Sequence, residues 1–226
     1  MQAREFQAET YGYDKYLGGC HMIPNHAIII LSLLFGDDDL QKTLMIVNTA
    51  GHDTDCNSGN VGCIMGIKNG LEGLRNGPDY LTPIQDRMYC PTANGGETQT
   101  DALTEAYKVI NTAKKMNKEE TVEPKNGSRF HFEMPGSVQG WRSSFKNNKN
   151  ISTIVQNTEY ETSIGKRALE IKFDRVAPGV CSEAVVDTFF PQELYELTGS
   201  ARERFFQSYN FISCPLLYSC LLYTSP

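Results

Sequence analysis

Apolar positions recur every three to four residues through the first half of the chain and every second residue in parts of the second half, so helices are predicted first and strands afterwards. The run "PNHAIIILSLLF" opens on Pro24, a permitted first-turn position, is apolar nearly all round and stops at Gly36, which predicts a helix buried on most sides. "GDDDL" then supplies acidic residues for the start of a second helix carrying Leu40, Leu44, Met45 and Val47 on its apolar face. Asp37, Asp38 and Asp39 read there as capping residues without chemistry of their own. A third helix is predicted from within "DTDCN" to about Leu74. Its Gly59, Gly62, Gly66, Gly70 and Gly73 fall on one narrow stripe. Each glycine costs roughly 1 kcal/mol against alanine inside a helix, and close approach of another backbone is the expected compensation. Val61, Ile64, Met65 and Leu71 lie on the other side, with Cys63 expected in the core.

After "RNGPDYLTPIQDRMYC", full of turn formers, a fourth helix is predicted from about Thr98 to Lys115. Beyond the charged segment "NKEETVEPKNGS" the period changes. "RFHFEMPG" alternates Phe130, Phe132 and Met134, and "RALEIKFDRV" alternates Leu169, Ile171 and Phe173, as half-buried strands do. The predicted fold class is therefore multi-domain, α then β: a compact all-α helical bundle over 1–118, a linker over 119–128 and an antiparallel β-sandwich over 129–211, with "FKNNKN" a loop tip.

Composition narrows the partners. A formal net charge of −6 and a pI near 5.3 argue against nucleic acid or an anionic membrane surface, either of which wants a basic field. The longest apolar run, "AIIILSLLF", is about half of what a membrane span needs. The opening "MQAREFQAETYGYDKY" is polar and charged and carries no secretory signal. Seven cysteines without a CxxC pair favour a reducing compartment such as the cytoplasm. The ending "SCPLLYSCLLYTSP" breaks from the composition before it, resembles translated adapter sequence, and is expected to be a non-native tail over 212–226.

The candidate chemistry sits in "HDTDCN". In a regular helix, residues two apart point about 200° away from each other. Asp53 and Asp55 therefore converge only if Asp53 is still in the loop while Asp55 opens the helix, and Gly51 supplies the permissive backbone for that turn. Two carboxylates and a hydroxyl at this spacing are hard oxygen donors suited to Mg²⁺, Mn²⁺ or Ca²⁺ rather than zinc. The competing reading is a plain helix N-cap. His52 inside the motif and His21 before the apolar helix read either as pocket-lining or, more simply, as hydrogen-bonded structural residues.

"AGHDTDCNSGNVGCIMGIKNG" resembles the second metal-binding motif of the ADP-ribosylglycohydrolase family, in which Gly-x-Asp-Thr-Asp-x-Asn precedes a Gly/Ala-rich helix. "CHMIPNHAIIILSLLFGDDDL" is similar to the segment just upstream in the family's bacterial branch. The resemblance covers about 60 residues and implies an all-α fold, hydrolysis of the N- or O-glycosidic bond joining ADP-ribose to a protein side chain or small acceptor, and a binuclear Mg²⁺ or Mn²⁺ cofactor. It implies Asp53 and Asp55 as catalytic, metal-binding residues and Cys56 where many members have a coordinating threonine; Gly51 and His52, in the turn beside them, are the candidate substrate-binding residues. The acidic Thr-Asp-Asp-like cluster that completes the family's metal pair does not appear before Asp53, so the chain is expected to be a C-terminal fragment with half of the metal site and little activity by itself.

"FHFEMPGSVQGW", "GKRALEIKF" and "VVDTFFPQEL" resemble strands of a galactose-binding-like, carbohydrate-binding jelly roll. That resemblance implies a glycan partner, with Trp141 stacking on a sugar or else filling the core. The alternative function is accordingly a non-catalytic glycan-binding protein.

Overall fold

The computed structural model describes residues 2–18, 20–89, 97, 99–143, 153–173, 177–179 and 182–188. The "FKNNKN" loop, the later part of "VVDTFFPQEL" and the 212–226 tail lie outside the described residues. The chain divides into two compact units, between Tyr80 and Leu81. Helices come first and small antiparallel strands follow, as the change of period predicts.

The first unit holds α1 (Gln2–Tyr11), α2 (Met22–Phe35), α3 (Leu40–Thr49) and α4 (Thr54–Arg75). Pro24 falls in the first turn of α2 and Gly36 caps its end, as expected. Asp39 caps α3 by accepting a hydrogen bond from the Lys42 N–H at 2.6 Å, while Asp37 pairs with Lys42 and Asp38 with Lys68. The three aspartates thus have structural partners. Helix α1 was missed, although its Gln, Ala and Glu content is that of a helix former.

Leu40, Val47, Val61 and Met65 form the buried centre of this unit, with Ile28, Ile29, Leu33, Leu44 and Leu74 packed around it. The expectation that α2 is buried on most sides is corrected. Ile30, Leu31, Leu34 and Phe35 are exposed, because α1, α3 and α4, which pack against α2, leave these side chains uncovered. Met45, Ile64 and Cys63 are exposed as well, against their assignment to apolar faces or core.

The glycine stripe is the second correction. A methyl group added at Gly59, Gly66 or Gly70 would meet no atom within 4 Å, and one at Gly62 would touch only Leu44 Cδ2 at 3.7 Å. No backbone of the described residues packs against the stripe. Gly70 instead breaks α4, at φ 63 and ψ −162, a conformation open to glycine and strained for other residues.

The second unit contains β1 (Arg87–Tyr89), β2 (Gln99–Asp101), α5 (Ala102–Met116), a 3₁₀ turn over Pro124–Gly127, β3 (Arg142–Ser143), β4 (Thr153–Glu159), β5 (Arg167–Phe173) and β6 (Ala184–Val185). The strands pair as three antiparallel ladders, β1 with β2, β3 with β6 and β4 with β5. The longest runs from Thr153↔Phe173 to Glu159↔Arg167, which places Val155 opposite Ile171 on one face. Helix α5 begins later than predicted because residues 99–101 are spent on β2; Asp101 caps it, its Oδ1 accepting from the Thr104 N–H at 2.8 Å.

"RFHFEMPG", predicted as a strand, forms none. Phe132 takes φ +57, which no ladder tolerates, and its N–H and that of His131 donate to the side chain of Gln139, at 2.8 and 2.9 Å. Gln139 Nε2 in turn donates to Arg129 O at 2.9 Å. Asp86 fastens the same loop from the other side, accepting from Ser137 Oγ at 2.7 Å and from the Val138 and Gln139 N–H groups at 2.9 and 3.1 Å. Trp141 packs edge-on against Phe130 at 5.7 Å.

His131 is buried beside Tyr107 and accepts at Nδ1 from the Glu133 N–H. Burial holds its imidazolium pKa below the usual value, against the opposing charges of Asp101 and Glu133. The unfolded chain then binds the proton first as pH falls. The stability from neutral His131 is present above about pH 6.5 and is lost as pH drops through the lower folded value. Thermal melts of the second unit are expected to shift downward between pH 7.5 and pH 5, and a His131→Gln variant is expected to flatten that dependence.

Candidate metal centre

The site forms where α4 begins. Gly51 and His52 adopt left-handed conformations in succession, φ +79 and +62, and both are exposed in the turn that delivers the chain into the helix. Gly51 meets the backbone requirement read from the sequence; the second positive φ falls on a histidine, which tolerates it better than a branched residue. Asp53 lies just outside the helix and Asp55 in its first turn, the arrangement that convergence demands. Asp53 occupies the N-cap position of α4 without a side-chain capping hydrogen bond.

One carboxylate oxygen from Asp53, one from Asp55 and the sulfur of Cys56 all lie within 4.8 Å of one another. Among the described residues this is the only group of three or more acidic, His or Cys side chains so placed. Asp55 and Cys56 are exposed and Asp53 is half-buried, so the cluster is open to solvent on one side.

Neighbours tune the charges. A hydrogen bond shared with the Asp55 carboxyl, and then the thiols of Cys20 and Cys56, hold the Asp53 carboxyl below the usual carboxylate range. The Cys56 N–H contributes least, through attraction that falls short of a capping bond. Asp53, through its hydrogen bond and its charge, pushes the Cys56 thiol up. The helix N-terminus is itself positive and repels a cation, and the two carboxylates reverse that local sign.

Sequence reasoning missed Asn25. Its Nδ2 donates to Asp53 Oδ2 at 3.2 Å, tying the start of α2 to the start of α4, while its Oδ1 is buried without a hydrogen-bond partner. The signal was a lone amide immediately after Pro24 in a largely apolar helix. His21 makes structural hydrogen bonds and also lines a cavity, so both readings of it have a counterpart. Nε2 donates to Tyr16 O at 3.0 Å, which leaves Nδ1 to accept from Gln7 Nε2 at 2.6 Å, and the ring stacks on Tyr13. It also lines, with Tyr11, Tyr16, Met22 and Ile23, a cavity of about 280 Å³. Cys20, the residue before it, reaches Asp53, so cavity and cluster are neighbours along the chain.

The residues fit a divalent cation by number and charge for a single ion, and the two carboxylates suit a hard metal; the thiol does not. Comparison of the chain with protein-family models, with curated proteins and with solved structures finds no match.

Proposed function

We propose that the Asp53–Asp55 centre is the metal site of an ADP-ribosylglycohydrolase-like hydrolase, acting on the glycosidic bond between a ribosyl group of the ADP-ribose type and a protein side chain or small acceptor. The observation that carries the reading is the convergence of three donor groups at the mouth of α4, with the buried amide of Asn25 against one of them. A divalent cation there supplies Lewis acidity for hydrolysis. Asp53, kept ionised by its neighbours, provides the fixed negative charge, and exposed Asp55 provides the donor nearer the solvent side. The cavity edged by Tyr11, Tyr16 and His21 has the size and the aromatic walls to take a flat ring attached to the ribosyl group. Three donors hold one ion, so a binuclear Mg²⁺ or Mn²⁺ centre needs donors beyond those described, and turnover by this chain alone is expected to be slow.

Titration calorimetry with ADP-ribose, in the presence and absence of divalent metal, tests this reading. Metal-dependent binding is expected, lost in Asp53→Ala and in Asp55→Ala. ADP-ribose that fails to bind with any of Mg²⁺, Mn²⁺ or Zn²⁺, or that binds both variants unchanged, removes the reading.

A second reading assigns the second unit to a carbohydrate-binding β-sandwich of the jelly-roll kind. Its support is the β4–β5 ladder, on whose one face Ile171 and Phe173 stand exposed, where a second layer of sheet would cover them. Binding of simple sugars that is insensitive to Asp53→Ala would favour this function over the hydrolase.

A further inference from the structure

The donor set disagrees with the magnesium that the resemblance implies. Mg²⁺ takes oxygen ligands in near-ideal octahedral geometry, and a sulfur among so few donors is a poor match for it. Zinc-class ions accept a mixed set of sulfur and carboxylate oxygen in tetrahedral geometry, and three protein ligands with one open position is the common form of a catalytic zinc site. We propose that the Asp53–Asp55–Cys56 centre, taken as the metal site of the preceding reading, selects a thiophilic divalent cation of the zinc class over magnesium, with the Cys56 sulfur as a ligand.

The geometry permits this with little movement. Donor atoms around a tetrahedral ion with bonds of about 2.0–2.3 Å stand about 3.3–3.8 Å apart. The three groups already lie within 4.8 Å of one another, and Asp55 and Cys56 are exposed side chains on one helical turn, free to rotate inward without displacing α4. On ligation the S–H bond breaks, the metal–sulfur bond forms, and the proton leaves to buffer. Two carboxylates and a thiolate then more than balance the ion's double positive charge and outweigh the positive helix end.

Asn25 supplies an observation independent of the cluster. Its side chain is 8 % exposed, sits against Asp53, and leaves Oδ1 buried and unpartnered. A buried amide oxygen without a partner is costly. Turning the amide over would exchange the two groups, setting Oδ1 toward a cation held by Asp53 and Nδ2 in the unpartnered place.

The test titrates the full chain, kept reduced, with Zn²⁺, Mg²⁺ and Co²⁺, and follows the near-ultraviolet sulfur-to-cobalt charge-transfer band. Zn²⁺ is expected to bind at least about 100-fold more tightly than Mg²⁺, a difference of about 2.8 kcal/mol. Cys56→Ser is expected to abolish the cobalt band and to weaken Zn²⁺ at least about tenfold, with its metal-free melting temperature unchanged. Asp53→Ala is expected to lose the site for every metal. Mg²⁺ binding as tightly as Zn²⁺, or a cobalt band that survives Cys56→Ser, overturns the inference and leaves the hydrolase reading standing. Zn²⁺ binding that survives Asp53→Ala also overturns it, because the ion is then held by other cysteines or histidines. Absence of any metal-dependent ADP-ribose binding removes the hydrolase reading itself.

Discussion

Replacing Gln139 with alanine is expected to destabilise the second unit by about 3–5 kcal/mol, read as a lower urea midpoint with the slope unchanged. The side chain is 1 % exposed and answers several backbone groups at once. Truncation strips the acceptor from the His131 and Phe132 N–H groups and the donor from Arg129 O; the first of these bonds is buried and the other two partly so. Each buried group left unpaired costs roughly 1–3 kcal/mol, so the total stands at the upper end of single substitutions. Gln139→Glu does not rescue it. The acceptor is retained, but a second anionic oxygen then faces Arg129 O and lies beside the Asp101 carboxylate, 3.4 Å from the present Nε2. Asp86→Ala acts on the same loop, through the Gln139 N–H, so the two losses are expected to fall short of their sum in a double-mutant cycle.

The second large effect concerns the first unit. Met65, 2 % exposed, stands among Leu40, Val47 and Val61, and Met65→Ala is expected to cost about 2–5 kcal/mol. Few side chains are fully buried in that unit, so the loss is expected to lower its thermal transition, while the transition of the second unit stays in place. Ile67 is the control on the same helix. At 82 % exposure, Ile67→Ala is expected to change stability by no more than about 0.5 kcal/mol. A single transition that moves as a whole in Met65→Ala would contradict independent melting of the units.

Helices α2, α3 and α4 were legible because each carries an apolar face at helical spacing with a recognisable start or stop: Pro24 and Gly36, Asp39, and the turn before Thr54. The convergence of Asp53 and Asp55 was legible for a related reason. Only one placement of the helix start brings both carboxylates together, and the backbone adopts it. What stayed hidden depends on contacts distant in the chain. The alternation of Phe130, Phe132 and Met134 has the period of a strand, but the backbone hydrogen bonds are taken by a glutamine seven and eight residues away. Asn25 reaches Asp53 across 28 residues, which no local pattern encodes. The glycine stripe was read as the imprint of a neighbouring backbone; among the described residues Gly59, Gly66 and Gly70 face open space, Gly62 and Gly73 face only side chains, and the helix breaks at Gly70. Likewise, the apolar girth of α2 records hydrophobicity without saying how many neighbours come to cover it.

The Gln139 staple carries a consequence for hydrogen exchange. Protected amides normally mark helices and strands, whose ladders open cooperatively. The His131 and Phe132 amides belong to neither, and their protection depends on one side chain held by Asp101, Arg129 O and the Asp86 clasp. Exchange at these two sites therefore clocks the opening of a single irregular loop, and a slow rate there would measure the tightness of a side-chain lock in a segment that has no regular secondary structure.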